Sequence, residues 1–364
     1  MTVVDNSENL TPSNGLTGDK SGGRSRGLSP GKRALLRFKA NRRGYVSLWI
    51  FSILFVLCFF AEVLCNDKPL IVKYDGDYYF PVFQAYPETT FGGDFETEAD
   101  YTDNFVRRQL SENGNWMIEP LIPYSYNTIN FVSDLPNPAP PSSQNYFGTD
   151  DRGRDVLARV VYGFRISVWF ALALTVLGVA IGIVAGAVQG YFSGKTDLIM
   201  QRIIEVWSSM PELYLLIIFA SIFQPSIWLL IILLSLFGWM GLSDYVRAEF
   251  LRGRNLDYVR SARAMGVPNI SIMSRHLLPN SLTPVITFLP FRISGAILAL
   301  TSLDFLGLGV PPTTPSLGEL LSQGKENIEA WWLSLSAFVV LVGTLMLLIF
   351  IGEALREALD TRKQ

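Results

Sequence analysis

The chain has 364 residues, of which 49% are hydrophobic and only 17% are charged, against about 25% charged in an average soluble domain. With a mean hydropathy of +0.29, these values exclude a disordered chain, a nucleic-acid-binding protein and an ordinary soluble enzyme. The net charge of −2 leaves no overall positive field that would attract polyanions.

Six apolar runs follow one another along the chain, each of about 20 residues and so long enough to cross a bilayer as a helix. They cover residues 45–64, 166–188, 203–223, 227–245, 284–308 and 331–351, and Met210-Pro211 interrupts the third. The first run is longer than the apolar region of a signal peptide and lacks a small-x-small cleavage site. The runs therefore predict an all-α integral membrane protein with six transmembrane helices.

The distribution of basic residues predicts the orientation. Lys and Arg cluster in residues 20–43 and again in residues 246–276, which the positive-inside rule assigns to the cytoplasm. Six crossings return the C-terminus to the same side. Both termini are therefore expected in the cytoplasm, and the acidic segment between the first two spans becomes a large external insert.

Five parts are predicted in chain order. They are a disordered cytoplasmic tail (1–30), a basic segment with the first span (31–64), the external insert (65–161), a core of spans two to six with a cytoplasmic loop at 246–283 (162–352), and a cytoplasmic tail (353–364). Asp155 is the predicted start of the helix that leads into the second span.

Four glycines in the second run repeat at a spacing of four residues. They are Gly178, Gly182, Gly186 and Gly190. Such a row lies on one helix face and lets a neighbouring backbone approach closely. Glycine is common in membrane helices, but four in register favour a tight seam between two helices over an incidental pattern.

Residues for catalysis or metal binding are scarce. His276 is the only histidine, and Cys58 and Cys65 are the only cysteines, which is too few for a zinc site. Two helical turns separate the cysteines by roughly 10 Å, too far for a disulfide. The segment 190–196 lacks the spacing of a phosphate-binding loop and follows a membrane helix instead of a strand. No catalytic residue, metal or cofactor is expected in this chain.

The connection between the fourth and fifth runs predicts two short helices. Asp257 is expected to cap a helix over residues 258–265, and Gly266 to end it with a positive φ. A second helix should stop before Pro279. On the first helix, Tyr258, Ala262 and Met265 share one face. The pair would project into the cytoplasm, or lie on the lipid surface as a plain amphipathic segment.

This connection resembles the EAA loop of ABC-importer permeases, whose pattern is E-A-A, three residues, G, nine residues, I-x-L-P. The corresponding positions are Arg260, Ser261, Ala262, Gly266, His276, Leu278 and Pro279. Alanine, glycine, leucine and proline match the pattern, whereas the other three positions differ. The histidine before Leu-Leu-Pro-Asn resembles the oligopeptide/dipeptide branch.

Two further segments are similar to the C-type permeases of that branch. Residues 147–156 (FGTDDRGRDV) and 162–167 (YGFRIS) resemble the F-G-T-D-x-x-G-R-D…Y-G-x-R-x-S signature, and residues 302–318 resemble the F-L-G-L-G…P-T-P-S-x-G segment. The long insert contains Tyr78-Tyr-Phe-Pro81, Thr90-Phe-Gly-Gly93 and Ile129-Asn-Phe131. With these segments it resembles the insert of the Yej-type branch, a peptide importer subunit also linked to microcin C-like peptides. The resemblance covers residues 31–360.

The resemblance implies a type I ABC-importer permease fold in the bacterial inner membrane. It implies that the loop docks in a cleft of a separate ATPase, which would bind ATP and magnesium. It also implies a second permease subunit, a periplasmic substrate-binding protein and a peptide substrate. No nucleic acid is expected as a partner.

Polar residues inside the spans are candidates for the transport pathway. Arg292 and Asp304 either face the pathway, or form a structural pair buried between helices, or lie near a span end and extend their charged groups towards the interface. His276 is expected to act in docking, with pH sensing as the alternative. Two other functions remain open, namely a stand-alone secondary transporter or channel, which needs an intramembrane ion relay, and a membrane-anchored binding module built on the insert.

Overall fold

A computed structural model describes residues 30–112, 114–130 and 136–360. The predicted tail 1–30 lies outside the described residues except for Pro30, as do residues 361–364 of the C-terminal tail. The helices, in chain order, are Pro30–Ala40 (α1), Arg42–Phe59 (α2), Ala61–Leu64 (α3), Asn104–Gln109 (α4), Val156–Phe192 (α5), Lys195–Ser208 (α6), Glu212–Ile222 (α7), Ile227–Gly238 (α8), Met240–Gly253 (α9), Asp257–Ala264 (α10), Asn269–Ser271 (α11), Leu278–Phe305 (α12), Leu317–Glu326 (α13) and Trp331–Leu359 (α14). The strands are Ile71–Tyr74 (β1), Asp77–Tyr79 (β2) and Trp116–Ile118 (β3).

Five helical stretches in the described part of the chain are long and apolar enough to cross a membrane. They are α2, α5, α8 with α9, the stretch from α11 through α12, and α14. The sixth predicted span is the pair α6 and α7, which is bent by 65°. Pro211 explains the bend, because it lacks an N–H and keeps Met210 out of the helical conformation. The chain therefore has up to six spans, if the bent pair crosses as one.

Helix α5 runs the length of the molecule and separates its two ends. Its 37 residues span about 55 Å, and Asp155 caps its start by accepting from the Ala158 N–H at 2.8 Å. Near this start, the Tyr162 hydroxyl donates to the carbonyl of Cys65 at 2.9 Å. At the far end, the Tyr191 hydroxyl donates to Asn269 Oδ1 at 2.6 Å. The insert (65–155 in the structure) and the loop after α9 therefore lie at opposite ends, called here the insert end and the loop end.

Both ends of the described chain meet at the loop end. Helix α1 packs through Phe38 on two alanines near the end of α14. Between α1 and α2, the Asn41 side chain donates to Glu357 at 2.9 Å. Helix α14 starts at the opposite end, where the Trp332 ring donates to the carbonyl of Thr149 at 3.2 Å. The N- and C-terminal helices therefore finish side by side.

The insert is the one described region with a β-sheet, so it departs from an all-helical architecture. Its three antiparallel strands have the order β2-β1-β3, with Val72 opposite both Tyr79 and Met117. Val72 is fully buried, together with Phe91 and Leu110. This small apolar core gives the insert a folded structure on top of the membrane helices.

Candidate functional site

The connection between α9 and α12 forms a compact hairpin closed by glycine. Gly266 has φ +76°, and the N–H groups of Gly266 and Val267 donate to the carbonyls of Arg263 and Ala262 at 3.0 and 3.1 Å. This is the glycine-closed helix end that the sequence predicts. The predicted cap is wrong, because Leu256 is the cap position and Asp257 is the first helical residue. There, its negative charge still interacts favourably with the helix dipole.

Helix α10 packs against the body of the protein through Val259 and Ala262. Ala262 is only 3% exposed and lies in an apolar cluster with Val259, Phe250 and Leu277. The prediction that Tyr258, Ala262 and Met265 share one face is therefore wrong, because Tyr258 and Met265 are exposed whereas Ala262 is buried. The periodicity of an eight-residue helix shows which residues share a face, but it does not show which neighbouring element that face contacts. In the structure, α9 and α12 provide the apolar surface on which α10 packs.

The outward surface of the hairpin is apolar at its tip and basic along α10. Met265 is 76% exposed and Ile270 is 80% exposed. Arg260 and Ser261 are exposed beside them, whereas His276 and Leu278 are half-buried. We name the side chains of Met265 and Ile270 the tip. The tip is the part of the loop that is open to a partner.

Tyr191 at the end of α5 holds the hairpin in place. Its hydroxyl donates to Asn269, its carbonyl accepts from Arg254 at 3.0 Å, and the Arg263 guanidinium lies 5.3 Å from its ring centre. Sequence reasoning missed this residue, which lies just after the second predicted span (166–188). The hairpin is therefore attached to α5 as well as to its own flanking helices.

The second helix of the hairpin does not stop at Pro279. A wide π turn over Ile272–Leu277 follows α11 and continues directly into α12, in which Pro279 is the second residue. Proline interrupts a regular helix because its ring clashes with the carbonyl four residues earlier, and a wider turn relieves that clash. The predicted break before Pro279 is therefore wrong, and the hairpin is joined rigidly to the fifth span.

The four-glycine row faces α9 through Gly182, Gly186 and Gly190, whereas Gly178 lies against Arg292 of α12 and Gly238 of α8. A Cβ on Gly178 would come within 2.8 Å of Arg292, and one on Gly182 within 3.0 Å of the Trp239 carbonyl. A Cβ on Gly186 would meet Val246 at 2.8 Å, and one on Gly190 would meet Phe250 at 2.5 Å. The row thus lets the backbones of α5 and α9 approach each other closely, from the middle of α5 to its end beside the hairpin.

Arg292 and Asp304 lie on α12 and do not pair. Twelve residues separate them, about 18 Å of helix rise. Arg292 donates to the carbonyl of Gly238 at 2.5 Å, and its buried Nε has no hydrogen-bond partner among the residues that the structure describes. Asp304 is 8% exposed and accepts from Ser316 and from the Val310 N–H at 2.8 Å. The structural-pair alternative is wrong, and Asp304 fastens the turn after α12.

At the insert end, buried charges join segments that are distant in sequence. Arg159 is fully buried, 2.7 Å from Glu319 and 3.5 Å from Asp150. Arg154 contacts Asp150 at 2.6 Å and Glu319 at 3.6 Å. Burial raises the pKa of Glu319, while the two guanidinium groups act in the opposite direction. We name these four residues the charge cluster.

No group of three or more His, Cys, Asp or Glu side chains in the described ranges is placed to hold a metal ion. Cys58 and Cys65 are free thiols. Burial raises the pKa of the Cys65 thiol to about 12, so it is almost wholly protonated at neutral pH.

Comparison with known proteins gives matches over nearly the whole chain. Residues 178–364 match the family described as "Binding-protein-dependent transport system inner membrane component", and residues 29–87 match "N-terminal TM domain of oligopeptide transport permease C".

Three relatives illustrate the range of similarity. The Inner membrane ABC transporter permease protein YejE of Escherichia coli (strain K12) is 52% identical, over 92% of this chain and 98% of that protein. The Peptidoglycan transport system permease protein YejE of Agrobacterium fabrum is 50% identical, over 91% and 93%. The Oligopeptide transport system permease protein OppC of Haemophilus influenzae is 38% identical, over 62% and 73%. Among solved structures, the MetNI methionine ABC transporter matches with 17% identity over 56% of this chain and 97% of that chain, at a TM-score of 0.47.

Proposed function

This chain belongs to the binding-protein-dependent transport system inner membrane components as a permease subunit of an ABC importer, and we propose that it carries peptides or peptide-like compounds into the cell. The observation that carries the substrate class is the set of relatives. One is named for peptidoglycan transport and another for oligopeptide transport, and both kinds of compound contain peptide bonds. The chain itself is not an enzyme, since ATP is hydrolysed by a separate subunit.

The tip is the proposed contact with that ATPase. Its two apolar side chains are more than three-quarters exposed although the sequence assigns this end to the cytoplasm, where they would need cover. ATP and magnesium would be bound by the ATPase. Arg260, Ser261 and His276 are the flanking polar positions, and Gly266, with its positive φ, makes the tight turn that presents the tip.

Coupling would follow from the rigid attachment of the hairpin. Ala262 packs inward, Leu278 and Pro279 continue into the fifth span, and Tyr191 ties the hairpin to α5. A displacement of the tip would therefore move α5, α9 and α12 together. Coupling in this sense means that the conformational state of the ATPase and the conformation of the membrane helices change together, as one two-state equilibrium.

Inside the membrane, Arg292 is the proposed contact for negatively charged groups of the substrate. Its Nε is buried and has no hydrogen-bond partner in the described part of the chain. Its guanidinium contacts Gly238, at the junction between α8 and α9. A guanidinium group at membrane depth is costly unless an anion neutralises its charge. Asp304 is a weaker pathway candidate, because both its carboxylate oxygens already accept hydrogen bonds.

The remaining partners are also proposals. A second permease subunit would complete the pathway, and a periplasmic binding protein would deliver substrate to the insert end. Both termini would lie in the cytoplasm of a bacterial cell, with residues 65–155 outside.

Reconstitution tests the proposed function. The chain is placed in vesicles with a second permease, the ATPase and the binding protein, and uptake of a labelled short peptide is measured with and without ATP. We expect uptake only with ATP and with all partners. Uptake driven by an ion gradient in vesicles without the ATPase would favour the stand-alone secondary transporter. Peptide binding by the insert with no uptake in the full assembly would favour the membrane-anchored binding module.

A further inference from the structure

Helix α1 and the start of α2 carry a concentrated positive charge at the loop end. Residues 30–43 contain six basic side chains and no acidic one. The basic residues are Lys32, Arg33, Arg37, Lys39, Arg42 and Arg43. A surface with this charge attracts an anionic partner.

One side of α1 packs on the protein, and another side is open. Phe38 is 8% exposed and packs on Ala354 and Ala358 near the end of α14. Leu35 and Leu36 are each 55% exposed. Two adjacent leucines that are more than half exposed on so short a helix indicate a surface that is covered by an apolar partner.

The exposed leucines lie between two lysines on the same side of α1. Lys32 and Lys39 are separated from the leucines by three or four residues, a spacing that places side chains on one helix face. Both lysines are exposed. A lysine stem can extend along an apolar surface while its ammonium group stays in a polar layer. This combination of leucine and lysine is typical of a helix at the boundary between acyl chains and lipid headgroups.

Helix α1 lies where the first span ends at the loop end. Asn41 alone separates α1 from α2, and its side chain caps α2 by accepting from the Gly44 N–H at 3.2 Å. Only 11% of this span is buried inside the protein, so most of its side chains face lipid. Tyr45 and Trp49, with ring centres 6.3 Å apart, lie in its first turns, and such rings favour the headgroup layer. Helix α1 is therefore at the level of the headgroups.

We propose that α1 binds the headgroups of anionic phospholipids at the membrane surface. Its two exposed leucines enter the acyl region, and Lys32 and Lys39 contact headgroup phosphates. The charge of the segment and its direct continuation into a span favour a lipid surface over a protein partner. Lipid binding of this kind needs no substrate and so goes beyond the proposed function.

Lipid bound at α1 would act on two spans together. Arg37 donates to the carbonyl of Asp360 at 3.2 Å, and Asn41 donates to Glu357 at 2.9 Å. Helix α1 thus connects the start of the first span to the end of the last span. An anionic membrane surface would hold these two helix ends at one level.

The test uses the whole importer complex in lipid nanodiscs. The nanodiscs contain equal parts of phosphatidylglycerol, which is anionic, and phosphatidylcholine, which is zwitterionic, with the same acyl chains. The photoreactive residue p-benzoylphenylalanine replaces Leu36, and mass spectrometry identifies what it crosslinks after irradiation. The same residue in place of Ile53, which is 54% exposed in the span α2, reports the reactivity of the two lipids without headgroup contact. Relative to Ile53, we expect crosslinks from Leu36 to favour phosphatidylglycerol severalfold.

Two lysines locate the preference. The double variant Lys32→Gln/Lys39→Gln should lower it severalfold, towards the one-to-one composition of the nanodisc, because each lysine near an anionic surface adds to the attraction. High salt should lower it as well, because exposed charges are screened. Lys325→Gln is the matched control, since this lysine is exposed on α13 at the insert end, and it should leave the preference unchanged.

Crosslinks from Leu36 to the ATPase instead of lipid would overturn the proposal and make this side of α1 a protein contact. Equal labelling of the two lipids, or a preference that the double variant leaves unchanged, would also overturn it. A photoreactive phosphatidylglycerol added to the unsubstituted complex needs no variant. It should label residues 30–43, and labelling confined to other parts of the chain would count against binding at α1.

Discussion

At the loop end, α10 packs through Val259 and Ala262, two small apolar side chains that are almost fully buried. At the insert end, Arg159 is equally buried but is surrounded by carboxylates. Apolar contacts are non-directional and tolerate small shifts, whereas buried ion pairs require fixed geometry. The comparison indicates that directional ion pairs stabilise the insert end, whereas non-directional apolar contacts stabilise the packing of α10 at the loop end. Each prediction below tests one side of it.

The largest effect is expected at the tip. Ile270→Glu places a charge on a surface that should be covered by the ATPase, so ATPase co-purification and ATP-driven uptake should fall to background. Membrane abundance should stay near wild type, because the side chain is 80% exposed and contributes little to the fold.

The matched control is Ile328→Glu, which is 84% exposed at the insert end and should keep its ATPase. Ala262→Glu should behave differently from the tip variant, with reduced abundance, because it buries a charge inside the protein's own core. Normal coupled uptake by Ile270→Glu would return the hairpin to the interpretation of a lipid-surface segment.

The second effect concerns the charge cluster. Arg159→Met leaves Arg154 as the cation of the charge cluster that faces both Asp150 and Glu319, and breaking the buried pairs of Arg159 should cost about 3–5 kcal/mol of folding stability. Thermal unfolding of the purified complex would show this as a lower midpoint. Arg108→Met, at an exposed position of α4, is the control. An unchanged midpoint for Arg159→Met would mean that the insert end is not held by these charges.

The third effect concerns the seam that leads from the membrane interior to the loop end. Gly186→Ala adds a Cβ only 2.8 Å from Val246 and should destabilise the complex by about 1–3 kcal/mol through overpacking. Gly343→Ala in α14 is the matched control, since no atom lies within 4 Å of the added Cβ. Equal unfolding midpoints for the two variants would show that α5 and α9 can move apart without cost.

The smallest expected effect is a difference in the accessibility of two introduced cysteines to a reagent, without a change in stability. Glu112→Cys in the insert and Met265→Cys at the tip are both exposed and should leave stability unchanged. A membrane-impermeant maleimide added to intact cells should modify the first and reach the second only after lysis. The reverse pattern would invert the assignment of the two ends and remove the ATPase contact from the tip.

Much of the membrane architecture could be predicted from local sequence. Apolar length gave the spans, Met210-Pro211 gave the bend in the third, and Asp155 gave the start of α5. Gly266 ended α10 as expected, because only a residue without Cβ takes its backbone conformation easily. In each of these cases the cause lies within a few residues of the effect.

The candidate site could be predicted only in part. The sequence placed the hairpin but chose the wrong face of α10, and it ended the second helix at Pro279 where a π turn carries the helix on. It also left Arg292 and Asp304 as a possible pair. Tyr191 carried no signal that distinguishes it from an ordinary aromatic residue near the end of a span.

What the sequence by itself determined is therefore the approximate positions of the membrane-spanning helices, the glycine-closed hairpin and the family. Only the tertiary structure decided which surfaces they bury, because that choice depends on neighbours far away in the chain. Arg159 and Glu319 are 160 residues apart, and no local pattern marks them as partners. Burial without a partner would be too costly for either charge, so the fold that brings them together also explains why both can lie inside it.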